Sequence, residues 1–385
     1  MFRLVALLCG LTAVSAAAEW TIQPQTASTV LVGVARGGEN GAQALAPAAN
    51  NGVGAVVYNY ADAAWTRQTG AQAGVQSGLL MGAGMSPDGT LKVVTSMLPV
   101  FVSDSSSTYT SVPGIGGAIQ SASVFNTNSI GLVGSLLVGK KSVNGVAFST
   151  DRGATWSSSA VPSSYARYGA FVDANTWVVS AGIWGEDNST SASFGVRSGT
   201  RDEISLSRRL HINKPRRPAS SAAADTNANG WLAAISITTD GGNTWTETFR
   251  SPEGSLYYFN GVSCSGTTCV VVGEGDTASG GYLVVAFTSN DGGKTWVQTL
   301  NSETLYSAMA VQMTSPTAGW LASVTHNRDG MTGQFYQTSD SGATWQLTQT
   351  LSDCYPVSIS FSAGQGVAAC ISSSGSSASA ALYNV

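Results

Sequence analysis

Ser289-Asn290-Asp291-Gly292-Gly293-Lys294-Thr295-Trp296 is one of four copies of a single eight-residue pattern; the others run from Ser149 to Trp156, from Thr238 to Trp245 and from Thr338 to Trp345. Each copy has a hydroxyl residue first, Asp third, Gly fifth, Thr seventh and Trp last. An apolar run such as Tyr282-Leu-Val-Val-Ala-Phe287 precedes it and the alternating Val297-Gln-Thr-Leu300 follows, so each copy reads as the turn of a β-hairpin. Every residue type has a mechanical reason to be there. The Asp carboxylate accepts from backbone N–H groups within the turn, Gly takes positive φ, and Trp buries its ring on a neighbouring layer. A carboxylate that recurs in every copy is scaffold, because glycoside hydrolysis needs one unique convergent pair.

The spacing counts the repeats. Trp156, Trp245, Trp296 and Trp345 fall 89, 51 and 49 residues apart, and a degenerate turn, Ser103-Asp104 to Thr108-Tyr109, lies 47 before Trp156. Trp65 and Trp20 extend the series by steps of 44 and 45. The long interval is one repeat with an insertion, since Gly182-Ile-Trp184 resumes at Trp231-Leu-Ala-Ala and removing 185–230 restores the rhythm. A second series supports the first. Leu31-Val-Gly-Val, Leu80-Met-Gly-Ala, Ile119-Gln-Ser-Ala, Arg167-Tyr-Gly-Ala, Tyr258-Phe-Asn-Gly, Tyr306-Ser-Ala-Met and Tyr355-Pro-Val-Ser each read as the innermost strand of a repeat. The segment after Trp345 has three strands' worth of residues and no final turn, while Glu19-Trp-Thr-Ile-Gln is strand-like, so the two termini are predicted to complete one sheet and remove its exposed edge.

The four turns match the Asp box, and the chain resembles the sialidase-like Asp-box (BNR repeat) β-propellers, a group that includes photosystem II assembly factors, sortilin-type receptors and some xyloglucan hydrolases. The resemblance implies an all-β, seven-bladed propeller with Asp-box hairpins. It also implies that Asp151, Asp240, Asp291 and Asp340, with Trp156, Trp245, Trp296 and Trp345, are structural residues of the outer hairpins, far from the central channel.

Composition agrees with many short strands: 43% of residues are hydrophobic, only 10% are charged, and there are 45 glycines. A formal charge of −4 provides no basic field for nucleic acid. Met1-Phe2-Arg3, the apolar run Leu4 to Val14 and Ala16-Ala17-Ala18 have the order of a secretory signal, which predicts cleavage after Ala18, export, and a single domain over 19–385. No apolar stretch is long enough to span a bilayer, and a monomer is expected. Cys9 leaves with the signal. Cys264, Cys269, Cys354 and Cys370 remain, an even set suited to an oxidising compartment, with pairing predicted between Cys264 and Cys269 across a hairpin turn and between Cys354 and Cys370. Their spacing does not suit zinc, and neither a metal nor a cofactor is called for.

The insertion 185–230 differs from its surroundings. Seven of the chain's 18 Lys and Arg fall between Arg197 and Arg217, opposed only by Asp202 and Glu203. It reads as a basic arm for an acidic partner, as a solvated, disordered loop, or as sequence foreign to the mature protein. Asn188-Ser189-Thr190 is a glycosylation sequon at its start.

A propeller concentrates ligands where its inner strands converge, so the strand-start column is the place to look. Arg167, Tyr258, Tyr306 and Tyr355 make one half of that column aromatic and cationic, a composition suited to carbohydrate stacking or carboxylate capture. Glu274 and Asp276 in Gly273-Glu-Gly-Asp276 are the acids of most interest, beside Asp62, Asp88, Asp173, Glu253 and Asp353. For a sialidase the family implies an arginine triad, a Tyr nucleophile assisted by Glu and an Arg-Ile-Pro motif; that motif is absent. His211 and His326 lack a serine or cysteine context. The sequence therefore points to a secreted, non-catalytic binding or scaffold propeller with a carbohydrate or protein ligand at its mouth. The alternatives are a glycoside hydrolase and an assembly factor of the photosystem II type.

Overall fold

The computed structural model describes residues 19–25, 33–37, 41–46, 56–61, 64–75, 80–96, 99–104, 108–183, 227, 230–327, 330–362, 364–371 and 378–384. Their strands form seven four-stranded antiparallel sheets, named I to VII here in chain order. The innermost strands are Gly33–Gly37, Leu80–Met85, Ile115–Val124, Ala166–Phe171, Tyr257–Ser265, Ser307–Met313 and Tyr355–Ser362. Each packs against the inner strand of the next sheet, and the last returns to the first, so the sheets surround a central axis as a β-propeller. Glu19–Gln25 pairs antiparallel with Ala378–Asn384 and is the outermost strand of sheet VII.

The sheets are held together by side chains that alternate between two dry interfaces. In the second strand of sheet V, Cys269 and Val271 pack with Ile235, Ile237 and Phe259 toward sheet IV, while Val270 and Val272 pack with Ala308, Val311 and Leu321 toward sheet VI. Successive residues of a strand face opposite ways, so a strand buried on both sides reads as a continuous apolar run. Tyr282–Ser289 is such a run, with Val285 and Phe287 on one interface and Val284 and Ala286 on the other.

The repeated turns join the third and fourth strands of sheets III to VI. In the sheet V copy, the Thr295 backbone N–H (3.0 Å) and the Ser289 hydroxyl (2.7 Å) donate to Asp291 Oδ1, the Thr295 hydroxyl donates to Oδ2 (2.6 Å), and the Gly293 N–H donates to Ser289 Oγ (2.8 Å). Gly293 has φ 89°, and a Cβ there would lie 2.8 Å from Val178 and 2.9 Å from Ile237, so only glycine lets the turn press onto sheet IV. The Trp296 indole N–H reaches back to Thr248 Oγ1 of sheet IV at 3.2 Å, and Trp245 likewise reaches Ser159 Oγ of sheet III at 2.9 Å. In the degenerate copy, Asp104 of sheet II pairs with Arg152 of the sheet III turn. Each turn is thus an inter-sheet staple.

The long interval resolves as a connection inside sheet IV, where Trp177–Ile183 pairs with Leu232–Thr238 and Ile183 lies opposite Leu232. The insertion's basic residues and Asn188 lie outside the described residues, as do the signal segment, Trp184 and Asp62. Two disulfides are formed, Cys264–Cys269 across the first hairpin of sheet V and Cys354–Cys370 within the buried interface of sheets VI and VII, and they are compatible with an extracellular protein. Among the described residues no helix is long and apolar enough to cross a membrane.

Hydrogen bonds from Thr155, Thr244 and Thr344 hold Asp151, Asp240 and Asp340 down to about 2; Asp291 sits at about 2 as well, its hydrogen bonds outweighing an opposing desolvation. A carboxylate depressed in the folded chain stabilises it above the ordinary value near 4, and that support is lost as pH falls toward 2. Asp240→Asn is expected to lower the melting temperature at pH 7 by about 2 °C or more, with the gap to wild type closing by pH 2 in matched thermal scans. For the disulfides, loop entropy sets the order. Replacing Cys354 and Cys370 by alanine, which opens a separation of 16 residues, should cost about 3 kcal/mol. Opening the separation of 5 at Cys264–Cys269 should cost about 2 kcal/mol in urea unfolding.

Candidate functional site

The central channel has two mouths, one at the starts of the inner strands and one at their ends, and they are built differently. At the starting mouth, sheets IV to VII bring most of the candidate residues into one cluster. The Tyr258 and Ser307 hydroxyls both donate to the Glu274 carboxylate, one to each oxygen, and the Tyr355 hydroxyl donates to Ser307 Oγ at 2.9 Å. The Ser323 hydroxyl donates to the Ser307 carbonyl at 2.6 Å. Tyr258, Tyr355, Ser307 and Glu274 are 4%, 2%, 2% and 9% exposed, so this is a buried polar cluster.

Burial pushes the Tyr258 phenol well above its ordinary value, and the Glu274 charge pushes it further, with Arg167 opposing; burial and the Glu274 charge do the same to Tyr355. A phenol held this way is an O–H donor and a poor nucleophile. The Glu274 carboxylate is in turn occupied by neutral donors, which makes its burial tolerable. Tyr306 packs beside Tyr355 and meets Tyr282 edge-on, ring centroids 4.5 Å apart. Asp276, two residues beyond Glu274 on the same strand, lies at its partly exposed end, where its N–H donates to the Leu256 carbonyl at 2.8 Å.

The other candidate acids serve turns. Asp88 accepts from the Ser86 hydroxyl (2.5 Å) and from Thr90, and Asp173 accepts from the Asn175 and Thr176 N–H groups (both 2.8 Å). Glu253 is exposed in the loop before Tyr257–Ser265, and Asp353 is exposed with φ 55°. Among the described residues no three His, Cys, Asp or Glu are grouped as metal ligands would be.

The inner strands also carry a feature that the sequence reading did not isolate. Six of the seven have a β-bulge at the same depth, which leaves Met81, Gln120, Arg167, Asn260, Met309 and Val357 as the extra residues. This is the column in true register. The column read from sequence is staggered against it: Arg167 is a bulge residue, whereas Tyr258 and Tyr355 lie two residues before theirs and Tyr306 three. The usable signal is the small residue after the bulge, Gly82, Ser121, Gly261, Ala310 and Ser358, which permits close approach of adjacent strands. Tyr168 occupies that position in sheet IV, and so the sequence pattern is obscured where it matters most.

At the other mouth the channel opens into a cavity of about 800 Å³ to which every sheet contributes, through residues such as Arg36, Met85, Phe125, Phe171, Val262 and Gln312. Its described lining contains no Asp, Glu or His. Gln312 exchanges hydrogen bonds with the Phe361 backbone (2.6 and 3.0 Å), and Arg36 donates to the Gln365 side chain, so the wall is tied between sheets.

No family model and no curated protein matches the chain in sequence. Solved structures match it in fold. YCF48 bound to D1 peptide is 11% identical with a TM-score of 0.54, over 95% of each chain. A PL25 ulvan lyase bound to a glucuronate- and rhamnose-containing polymer is 10% identical with a TM-score of 0.56, over 94% of each. The GH74 xyloglucanase from Xanthomonas campestris is 13% identical with a TM-score of 0.50, over 89% of this chain and 51% of its own. A peptide binder, a lyase and a hydrolase share this scaffold, and the likeness establishes the β-propeller alone.

Tyr258→Phe removes a donor to the buried Glu274 carboxylate and is expected to cost about 1.5–3 kcal/mol of unfolding free energy in urea at pH 7. A loss of only a few tenths would show that Glu274 is hydrated in solution.

Proposed function

We propose that the chain is a seven-bladed Asp-box propeller that works as an exported, non-catalytic binding module and takes a protein segment at the open mouth of its channel. One observation carries the reading: a cavity at the ends of the inner strands, to which every sheet contributes, has a described lining that holds no carboxylate or imidazole. Such a wall offers van der Waals surface and strand-end backbone groups, which suit an extended segment, and it offers no general acid. The carboxylate of most interest, Glu274, is buried at the far mouth with its oxygens occupied by Tyr258 and Ser307. YCF48 bound to D1 peptide adds support as a propeller of this size that binds a peptide. The Ala16-Ala17-Ala18 segment and the two disulfides support export. The basic insertion at 185–230 supports an accessory contact to an acidic surface.

The test sets hydrolysis against binding. The mature chain, disulfides intact, is expected to turn over no member of a panel of sialosides and plant, algal and fungal polysaccharides. Ser123 also lines the cavity; on a peptide array the chain is expected to retain a defined set of sequences, and Ser123→Trp, which fills the cavity, should weaken that retention about tenfold or more. Turnover that disappears in Glu274→Gln or Asp276→Asn would instead make the protein a glycoside hydrolase.

A further inference from the structure

Arg167 is a cation that the fold positions but does not pair. The bulge between Ala166 and Tyr168 takes it out of the ladder of sheet IV, and it is the one charged residue among the six bulge positions. The backbone that leads into it is fixed at two successive residues. The Ala166 N–H donates to Asn144 Oδ1 (3.2 Å), and the preceding Tyr165, held at φ 61°, accepts from the Gly182 N–H (3.1 Å). The guanidinium carbon lies 5.0 Å from the centre of the Tyr258 ring and 5.5 Å from that of Tyr168. These are contacts of the cation with the ring faces of two tyrosines and use none of its hydrogen-bond donors on a carboxylate or carbonyl. Among the described residues no carboxylate, carbonyl or hydroxyl accepts from it, and it is only partly buried.

A carboxylate lies within the same cluster, at the other end of Tyr258. Glu274 receives neutral donors from Tyr258 and Ser307, and the Tyr258 ring stands between that carboxylate, at its hydroxyl end, and the guanidinium, on its face. Both partners that an unpaired arginine would ordinarily seek, a carboxylate and a carbonyl, are thus withheld from it. A planar fork with fixed orientation and open donors matches a planar carboxylate in two parallel hydrogen bonds, with little ordering left to be done on binding.

We propose that Arg167 anchors a shallow site for a carboxylate-bearing sugar, a hexuronate unit of an acidic polysaccharide, at the starting mouth of the channel. Tyr258, Tyr355 and Glu274 are themselves buried, so the groups left to meet a ligand are Arg167 and the partly exposed rings around it. The partly exposed rings of Tyr168, Tyr306 and Tyr282 supply apolar faces of the kind on which a pyranose packs. The site lies at the opposite mouth from the protein-binding cavity and stands independently of that reading.

The experiment is calorimetric titration of the full mature chain with trimers of galacturonate, glucuronate and mannuronate, each beside its methyl ester. At least one acid trimer should bind, its ester about tenfold or more weaker, and Arg167→Lys should lose about as much because an ammonium lacks the planar fork. Arg167→Lys should melt with wild type, and Ser123→Trp should bind the sugar normally, which separates this site from the cavity. Absence of binding by all three acids, equal affinity for acid and ester, or full affinity in Arg167→Lys would overturn the proposal. So would capture of a tetraglutamate peptide through Arg167 with no uronate bound.

Discussion

A sheet that is apolar on both faces is stable only between two others, and this requirement organises the whole molecule. Val270 and Val272 need sheet VI as much as Val271 needs sheet IV, so no sheet can end a row. Seven such sheets satisfy one another by closing into a ring. The repeated turns add directional bonds to an interface that is otherwise non-directional, because each Asp carboxylate stiffens its own turn while its Gly and Trp engage the preceding sheet. Hydrophobic burial holds the sheets together, and the staples fix how they meet.

Those staples are why the architecture was legible in the sequence. Ser149 to Trp156 and its three relatives carry residue types that only one turn geometry uses together, and the spacing of their tryptophans gives the sheet length directly. The hairpin around 185–230 followed from the rhythm, and its register, Ile183 opposite Leu232, is that of an uninterrupted sheet. The disulfide between Cys264 and Cys269 was readable for the same local reason: the two residues lie opposite each other beside a tight turn.

The site was less legible because it depends on register across sheets. Tyr258, Glu274, Ser307 and Tyr355 come from three sheets and four strands, and no sequence spacing announces that Tyr258 and Ser307 share one carboxylate. Ser307 and Tyr168 gave no signal at all in the sequence reading. The bulges are a second obstacle. One extra residue in each inner strand changes which side chain faces the channel, so a column aligned by residue type drifts by up to three positions against the column aligned by hydrogen bonding.

The pairing of Glu19–Gln25 with Ala378–Asn384 has a consequence for how the chain reaches its native state. During synthesis Glu19–Gln25 emerges long before its partner, and sheet VII can be completed only after Ala378–Asn384 has been made. Hairpins within single sheets are local in sequence and can form early, whereas closure is a late event of very high contact order. Until it happens, the partial ring ends in apolar sheet faces and unpaired strand edges, the species most prone to aggregate. The terminal ladder therefore converts a sequence of nearly independent hairpins into one cooperative unit.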